Sequence, residues 1–316
     1  MQDRKKPLVS ICCITYNHEP YIRDCLEGFV MQKTNFPFEV LIHDDASTDH
    51  TAEIIREYEA KYPDIVKPIY QTENQYSQGI NVLAFIINCA QGKYIALCEG
   101  DDFWSAPDKL QRQVDFMERN PDFAVCFHDV NIVDDHGRIL DGYNKAWGNL
   151  TKRSIFTMTD LLRCGNLMNT PSVFYRKPAQ MYACKGFTID FFTHLQISYL
   201  GKIKRIDGIM ASYRIHSGGI FQTCQTGSLG TRIRICRQQI AAWRQFCRLH
   251  SLSRKDFYWA QRRLLDECDR LRSFLMHGGY RERARRIARF EMAALGKFLF
   301  RTPVRFFLVS KTIFIG

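Results

Sequence analysis

Short apolar runs alternate with amphipathic stretches from Leu8 to His128, and this alternation constrains the fold more than any other feature of the chain. Leu8 to Thr15, Phe38 to His43, Val66 to Gln71, Tyr94 to Cys98 and Phe123 to His128 each have the length and composition of a buried strand. Between them, Pro20 to Gln32 sets Ile22, Leu26, Phe29 and Val30 near helical spacing. Thr51 to Tyr62 groups Ile54, Ile55 and Tyr58 on one side, with Ser47 or Asp49 as its cap. Ile80 to Cys89 reads as a third helix, and a fourth reaches Arg119 with Pro107 in its first turn. The rhythm predicts an α/β fold: a mostly parallel sheet with helices on both faces. Ligands in such sheets bind beyond the carboxyl ends of the strands. Here those ends carry Thr15-Tyr16-Asn17, Asp44-Asp45 and Glu99-Gly100-Asp101-Asp102.

Downstream the pattern is mixed. Thr157 to Cys164 reads as a short helix, Ser172 to Arg176 as a strand, and Asp190 to Leu200 as a helix stopped by Gly201. Ile203 to Ile206 and Met210 to Ile215 read as two strands. The chain from Ser217 to Gly230 is rich in Gly, Ser, Thr and Gln and suits a lid or linker. Beyond it, Trp243, Phe246 and Leu249 form one apolar face, and Leu264, Leu265, Cys268, Leu271, Phe274 and Leu275 form another. A third helix is expected from Glu282 to Leu295. Charge divides the chain at the same place: residues 1–225 carry 24 basic against 27 acidic side chains, and residues 226–316 carry 20 against 6. The expected organisation is therefore a catalytic domain over 1–225 followed by a basic helical module over 226–316.

Apolar residues at 46% and charged residues at 24% belong to a globular chain and exclude disorder as its main state. No apolar run of about 18 residues occurs, so no spanning helix is expected. Leu8 to Thr15 is too short for the core of an export signal and reads as a strand. The 12 cysteines include no CxxC pair. Cys12, Cys13, Cys89, Cys98 and Cys126 sit among apolar neighbours, which suits reduced core thiols in a cytoplasmic protein better than a zinc site or a disulfide scaffold.

No GxGxxG follows the first strand and no GxxxxGK[ST] occurs anywhere, so a bound nucleotide's phosphates are not held by a glycine-rich loop. Metal bridging is the substitute. Glu99, Asp101 and Asp102 crowd three acids into one turn. Two like charges about 4 Å apart repel by about 4 kcal/mol at an effective dielectric near 20. A divalent cation with oxygen ligands removes that cost, and magnesium uses one or two carboxylates plus substrate phosphates. On the residues alone, a solvated turn capping the next helix stands beside this reading. His43, next to Ile42, reads as packing. Asp134-Asp135-His136-Gly137 reads as a turn. Trp104 is either a core aromatic or a wall of the pocket. Asn166, Asn169 and Thr170 are candidates for acceptor contact.

Pro7 to Asn17, Leu41 to Thr51 and Gly92 to Trp104 resemble, in that order, the motifs of the family 2 inverting glycosyltransferases of the GT-A fold, of the bacterial cell-surface polysaccharide type. The resemblance continues through Asp108-Lys109-Leu110 with Gln113, then Asp190, Gly201-Lys202-Ile203 and Tyr213-Arg214-Ile215-His216, and spans roughly residues 7–220. It implies a Rossmann-like, mixed and mostly parallel sheet. It also implies a single displacement that moves a sugar from a nucleotide-sugar to a hydroxyl of a glycan or lipid-linked glycan, with Mg2+ or Mn2+ on the leaving diphosphate.

Individual positions inherit roles from the same resemblance. Thr15 and Tyr16 fall where the first strand meets the base and ribose. Asp45 matches the carboxylate that reads the base edge, and its capacity to accept the imide N–H of uracil points to a UDP-sugar. Glu99 and Asp101 occupy the two acidic positions of the DxD motif. Glu99 departs by one methylene and keeps a ribose contact, Asp101 binds the metal, and Asp102 supports the site or the ribose. His216 matches a histidine that holds the metal-diphosphate as neutral imidazole. The metal, with Arg214 or His216, stabilises charge on the departing diphosphate, and Asp190 matches the catalytic base.

The tail carries Arg281, Arg283, Arg285, Arg286 and Arg289, then aromatics interleaved with Arg301, Arg305 and Lys311. Two readings stand: an interfacial element on an anionic membrane surface, making the protein peripheral on the cytoplasmic face, or a bundle with a solvated arginine face. Nucleic acid is disfavoured because no recognised motif accompanies the charge. A second functional class also remains, a catalytically inactive nucleotide-sugar-binding or membrane-recruiting module working through this tail. Glu99 is the departure that favours it.

Overall fold

A computed structural model describes residues 6–140, 153–183, 189–219, 227–287 and 289. The chain forms two compact units, Met1–Gly227 and Ser228–Gly316. In the first, β1 (Val9–Thr15), α1 (Ile22–Val30), β2 (Phe38–Asp44), α2 (Thr51–Lys61), β3 (Val66–Tyr70), α3 (Val82–Cys89) and β4 (Tyr94–Glu99) follow the expected alternation. Strands β3, β2, β1 and β4 lie side by side in parallel, with Val9 opposite both Phe38 and Tyr94. Side chains of β1, β2 and β4 are almost all buried on both faces, the usual state of a parallel sheet, while edge strand β3 is half-buried beyond Val66. Val9, Ile11 and Cys13 join Ile22, Leu26 and Phe29 of α1, while Cys12 Sγ lies 3.9 Å from Ile86 O of α3. Asn81 caps α3, its side chain accepting from Ala84 N–H at 2.9 Å.

Beyond β4 the sheet becomes mixed. β5 (Phe103–Trp104), α4 (Lys109–Arg119), β6 (Phe123–Val133), β7 (Ile155–Phe156), α5 (Met158–Cys164), β8 (Phe174–Arg176), α6 (Ile189–Ser198) and β9 (Lys202–Arg214) complete the unit. The strand order is β3-β2-β1-β4-β8-β6-β9-β5, with β7 paired to β9. β8 runs antiparallel to β4 and β6, but the long ladders are the parallel ones, including β6 with β9.

Several sequence expectations are corrected here. The two strands expected at 203–206 and 210–215 are the single strand β9. Gly208, at φ +108°, bends it without ending it, and the ladder with β6 shifts register between Phe127 and Asp129. β6 runs on to Val133, five residues past its expected end. Pro107 lies outside α4, whose N-cap is Asp108. His50, not Ser47 or Asp49, is the N-cap residue of α2, although Asp49 still accepts from Thr51 N–H at 3.0 Å. Trp104 is core: it is 2% exposed and sits edge-on to Phe29 at 5.0 Å. The ten described cysteines are all free thiols, and Cys89 is exposed rather than buried.

Lys109 is fully buried on α4, an expensive position for an ammonium. Its Nζ donates to Gln113 Oε1 at 2.8 Å and lies 3.9 Å above the Trp104 ring, while Gln113 Nε2 donates to Ser172 O at 2.9 Å. Burial nonetheless lowers the lysine from 10.5 to about 7. Between those values the unfolded chain holds more protons than the folded one, so stability rises with pH, by up to about 1.4 kcal/mol per pH unit. Below about pH 7 both states are protonated and the contribution is flat. Urea midpoints measured from pH 7 to 9 should climb in the wild type, and Lys109→Met should lose the climb. Equal slopes in the two proteins would refute this account.

The second unit is helical. α7 (Leu229–Leu249) and α8 (Arg254–His277) are capped by Ser228 and Ser253, whose side chains accept from Thr231 and Asp256 N–H. Buried residues recur at helical spacing: Ile233, Cys236, Ile240, Trp243 and Phe246 on α7, and Ala260, Leu264, Cys268, Leu271 and Leu275 on α8. Leu249, expected on the apolar face, is 41% exposed, and Leu265 and Phe274 are half-buried. Helix resumes over residues 281–287 with Arg281, Arg283, Arg285 and Arg286 exposed. Most of the helix expected from Glu282 to Leu295, the amphipathic tail and much of the 217–230 segment lie outside the described residues. No described helix is long and apolar enough to cross a membrane.

Candidate active site

The strand ends converge on one cluster. Parallel register sets Thr15 beside Asp44 and Ile14 beside Glu99, and hydrogen bonds from Asp45 N–H to Thr15 O and from Gly100 N–H to Ile14 O, each 3.0 Å, carry the pairing past the strands. The chain then turns through Gly100-Asp101-Asp102 into β5, which pairs antiparallel with β9 at Phe103 opposite Ser212. That pairing brings Arg214 N–H to Asp102 Oδ1 at 2.8 Å and His216 Nε2 to Asp101 Oδ2 at 2.9 Å. From the β1 side, His18 Nε2 stands 3.8 Å from the same Asp101 oxygen, and His18 Nδ1 lies 3.1 Å from Thr15 Oγ1.

Close packing fixes the turn. A Cβ on Gly100 would fall 2.5 Å from Thr15 Oγ1 and 3.0 Å from His18 Nδ1, so only glycine fits between the acids. Asn17 adopts φ +53°, a conformation asparagine tolerates better than most residues. Its Oδ1 accepts from Thr48 N–H at 2.7 Å and its N–H donates to Ser47 Oγ at 2.9 Å, which binds the β1–α1 loop to the β2–α2 loop.

Charge is concentrated here without full compensation. Burial, with repulsion from Asp101 and Asp190, raises Glu99 well above the ordinary carboxylate range, and burial with Asp101 and Glu99 raises Asp102. Burial also opposes ionisation of Asp101, but the imidazoles of His18 and His216 more than offset it and hold this carboxyl low. Burial lowers His18, which favours neutral imidazole. Asp101 Oδ1 and Asp102 Oδ2 are buried with no hydrogen-bond partner. Buried polar atoms are rarely left so, and each such atom costs about 1–3 kcal/mol. Ligand atoms of Glu99, Asp101 and Asp102 lie within 4.8 Å of one another, as do those of His18, Asp101 and His216. A divalent cation fits this donor set.

Asp190 sits in the first turn of α6, where a carboxylate is favoured by the helix dipole, and Asn166 Nδ2 donates to its Oδ2 at 3.0 Å. Asn166, an acceptor candidate by sequence, is thus the partner of the expected base. One turn along α6, fully buried His194 bonds through Nδ1 to the Tyr175 hydroxyl, and burial lowers this imidazole to about 4.

The remaining expected residues divide. Tyr16 is 42% exposed at the strand end. Thr15 is buried, and its hydroxyl lies 3.1 Å from His18 Nδ1. Asp45 accepts the backbone N–H groups of Gln75 (2.7 Å) and Tyr76 (3.0 Å), which pins the loop after β3 over the end of β2. Asp102 is 1% exposed and supports the turn from behind. Arg214 braces the turn between β4 and β5. Its guanidinium is buried and bonded to Asp101 O, Asp24 Oδ2 and Asp135 O. Asp134 forms the expected turn, accepting from His136 and Arg138 N–H. His43 packs as expected, 5.7 Å from the Phe85 ring. Sequence reasoning missed His18. Its one signal was position, three residues past Thr15 on a strand in register with Glu99.

A sheet of this order, with acids and imidazoles gathered beyond the carboxyl ends of parallel strands, is that of the GT-A fold. Staphylococcus aureus TarS 1–349, solved in complex with UDP-GlcNAc, superposes with a TM-score of 0.56 at 17% identity, covering 92% of this chain and 80% of that one. Residues 10–180 match the family described as Glycosyl transferase family 2. The chain belongs to that family. An uncharacterized Mycobacterium tuberculosis protein, Rv1520, is 38% identical over 221 residues, which cover 69% of this chain and 62% of the relative. A Bacillus subtilis protein named as a putative teichuronic acid biosynthesis glycosyltransferase, TuaG, is 35% identical over 147 residues, 46% of this chain and 56% of that protein. The chain thus spans less than two thirds of these relatives.

Proposed function

We propose that the protein is a metal-dependent inverting glycosyltransferase. It would move a sugar from a nucleotide-diphospho-sugar, with UDP as the nucleotide, to a hydroxyl of a cell-envelope glycan or lipid-linked glycan. One observation carries the reading: Asp101, an acid with one buried unpaired oxygen and an imidazole at 2.9 Å, stands beside two further carboxylates at the ligand-binding edge of the sheet. Family membership and the TuaG relative support the reaction class and the kind of acceptor. Glu99, the departure that favoured an inactive module, keeps its carboxylate inside the cluster.

In this reading Asp101 and His216 hold the dication, and Tyr16 lies against the base. When bound, the cation supplies positive charge to the leaving diphosphate. Asp190, oriented by Asn166, takes the proton of the acceptor hydroxyl as that oxygen bonds to the anomeric carbon. The bond from that carbon to the diphosphate oxygen breaks with its electron pair going to the diphosphate, and the anomeric configuration inverts. Asp102 and Arg214 keep the Gly100-Asp101-Asp102 turn in place while this happens.

Titrating UDP with Mn2+ or Mg2+ present, and again with chelator, tests the reading. The dication should tighten UDP binding at least about tenfold, worth about 1.4 kcal/mol. Asp101→Ala should erase the difference. Binding indifferent both to chelator and to Asp101→Ala would contradict the proposal.

A further inference from the structure

We propose that His18 is a third protein ligand of the cation, completing with His216 and Asp101 a two-imidazole, one-carboxylate set that selects a first-row transition dication such as Mn2+ over Mg2+. The proposal rests on the metal reading above and specifies which ion the site takes.

Donors bound at about 2.1 Å to one ion are separated by about 3 Å when adjacent and about 4 Å when opposite. The Asp101 oxygen is 2.9 Å from His216 Nε2 and 3.8 Å from His18 Nε2, and all three donor atoms fall within 4.8 Å of one another. The 3.8 Å approach of His18 is too long for a hydrogen bond, yet it suits two ligands sharing an ion. His18 is therefore brought to Asp101 without bonding to it.

Metal-bound histidines almost always engage a partner through the other ring nitrogen, which fixes the tautomer and the ring plane. Thr15 Oγ1, on buried β1, lies 3.1 Å from His18 Nδ1. With Nδ1–H donating to that hydroxyl, Nε2 keeps its lone pair on the Asp101 side. Gly100 closes the arrangement from below, since a Cβ there would strike both Thr15 Oγ1 and His18 Nδ1. The three donors come from the loop after β1, the turn after β4 and the segment after β9.

Chemistry then decides the ion. Magnesium takes oxygen ligands and retained waters, whereas imidazole suits transition metals, and two histidines with one carboxylate leave positions open for substrate oxygens. A site holding Asp101 with carboxylates alone would not discriminate in this way. His18 strengthens the discrimination by adding a second imidazole to that of His216.

The test uses the full chain without donor. Mn2+ binding is followed by electron paramagnetic resonance, and Mg2+ binding by its competition with Mn2+. The wild type should prefer Mn2+ by at least about tenfold, and His18→Gln should weaken Mn2+ about 10- to 100-fold while leaving Mg2+ nearly unchanged. Spin-echo modulation from bound Mn2+ should report two directly bound imidazole nitrogens in the wild type and one in the variant. A single nitrogen in the wild type overturns the proposal even if the variant fails to fold. Unchanged Mn2+ affinity in His18→Gln, with binding abolished in Asp101→Asn, removes His18 and leaves the metal reading standing. Unchanged affinity in both variants removes both.

Discussion

Asp190→Asn should lower turnover by about 10²- to 10⁴-fold and leave UDP-sugar binding nearly intact. The substitution removes a proton acceptor and little else. Asparagine keeps an oxygen that can accept from Asn166 Nδ2, which now lies 3.0 Å from Asp190 Oδ2, so the start of α6 keeps its partner. Electrostatics favour binding in the variant, because Asp190 is one of the charges that push Glu99 upward. Removing that charge lets Glu99 ionise more readily and makes the cluster more attractive to a cation. The expected signature is a fall in kcat with KM steady, as for a group whose work is done in the transition state. Transfer kinetics alongside UDP-sugar titration would show it, and parallel loss of binding would mean that Asp190 holds the site together instead.

Gly100→Ala should cost about 100-fold in turnover although it adds only one methyl group. The new Cβ would lie 2.5 Å from Thr15 Oγ1, 2.7 Å from Thr15 Cβ and 3.0 Å from His18 Nδ1. β1 is buried and paired on both sides, so Thr15 has little room to yield. The turn carrying Asp101 must move, and a displacement near 1 Å at such a site costs about 10²-fold. Overpacking of this kind also destabilises by about 1–3 kcal/mol. Gly79 supplies the control: it has φ +81° with open space around its Cβ position, so Gly79→Ala should strain only its own loop and spare turnover. Wild-type rates in Gly100→Ala would show that the turn adapts and that its fit to Thr15 is incidental.

Much of this arrangement was legible in the chain because it follows periodicity. Parallel strands buried on both faces produce unbroken apolar runs, and the acids that end them stand out by contrast. The features that escaped have no period to follow. β5 is two residues long, and it is the element that carries β9, with Arg214, back to Asp102. β9 read as two strands because Gly208 interrupts its pattern, whereas in the sheet a bulge absorbs the interruption. The resemblance puts Arg214 at the diphosphate, and only coordinates reveal that its guanidinium also bonds Asp101 O, Asp135 O and Asp24 Oδ2. Lys109 belonged to a recognisable motif whose Trp104 and Gln113 are close in sequence, but Ser172, which holds Gln113 in place, lies 59 residues from it. His18 was hidden for a related reason. Its partners, Asp101 and His216, are remote in sequence, and three loops must close before it meets them.

That closure has a consequence for how the chain is cut. The family match stops at residue 180, while His216 approaches Asp101 from 115 positions downstream of it. During synthesis, strands β1 to β4 can be laid down long before His216, the imidazole proposed to hold the ion, leaves the ribosome. A nascent or recombinant fragment trimmed to the matched segment would be a scaffold without a grip, and nucleotide-induced protection against proteolysis should first appear in fragments that extend past His216.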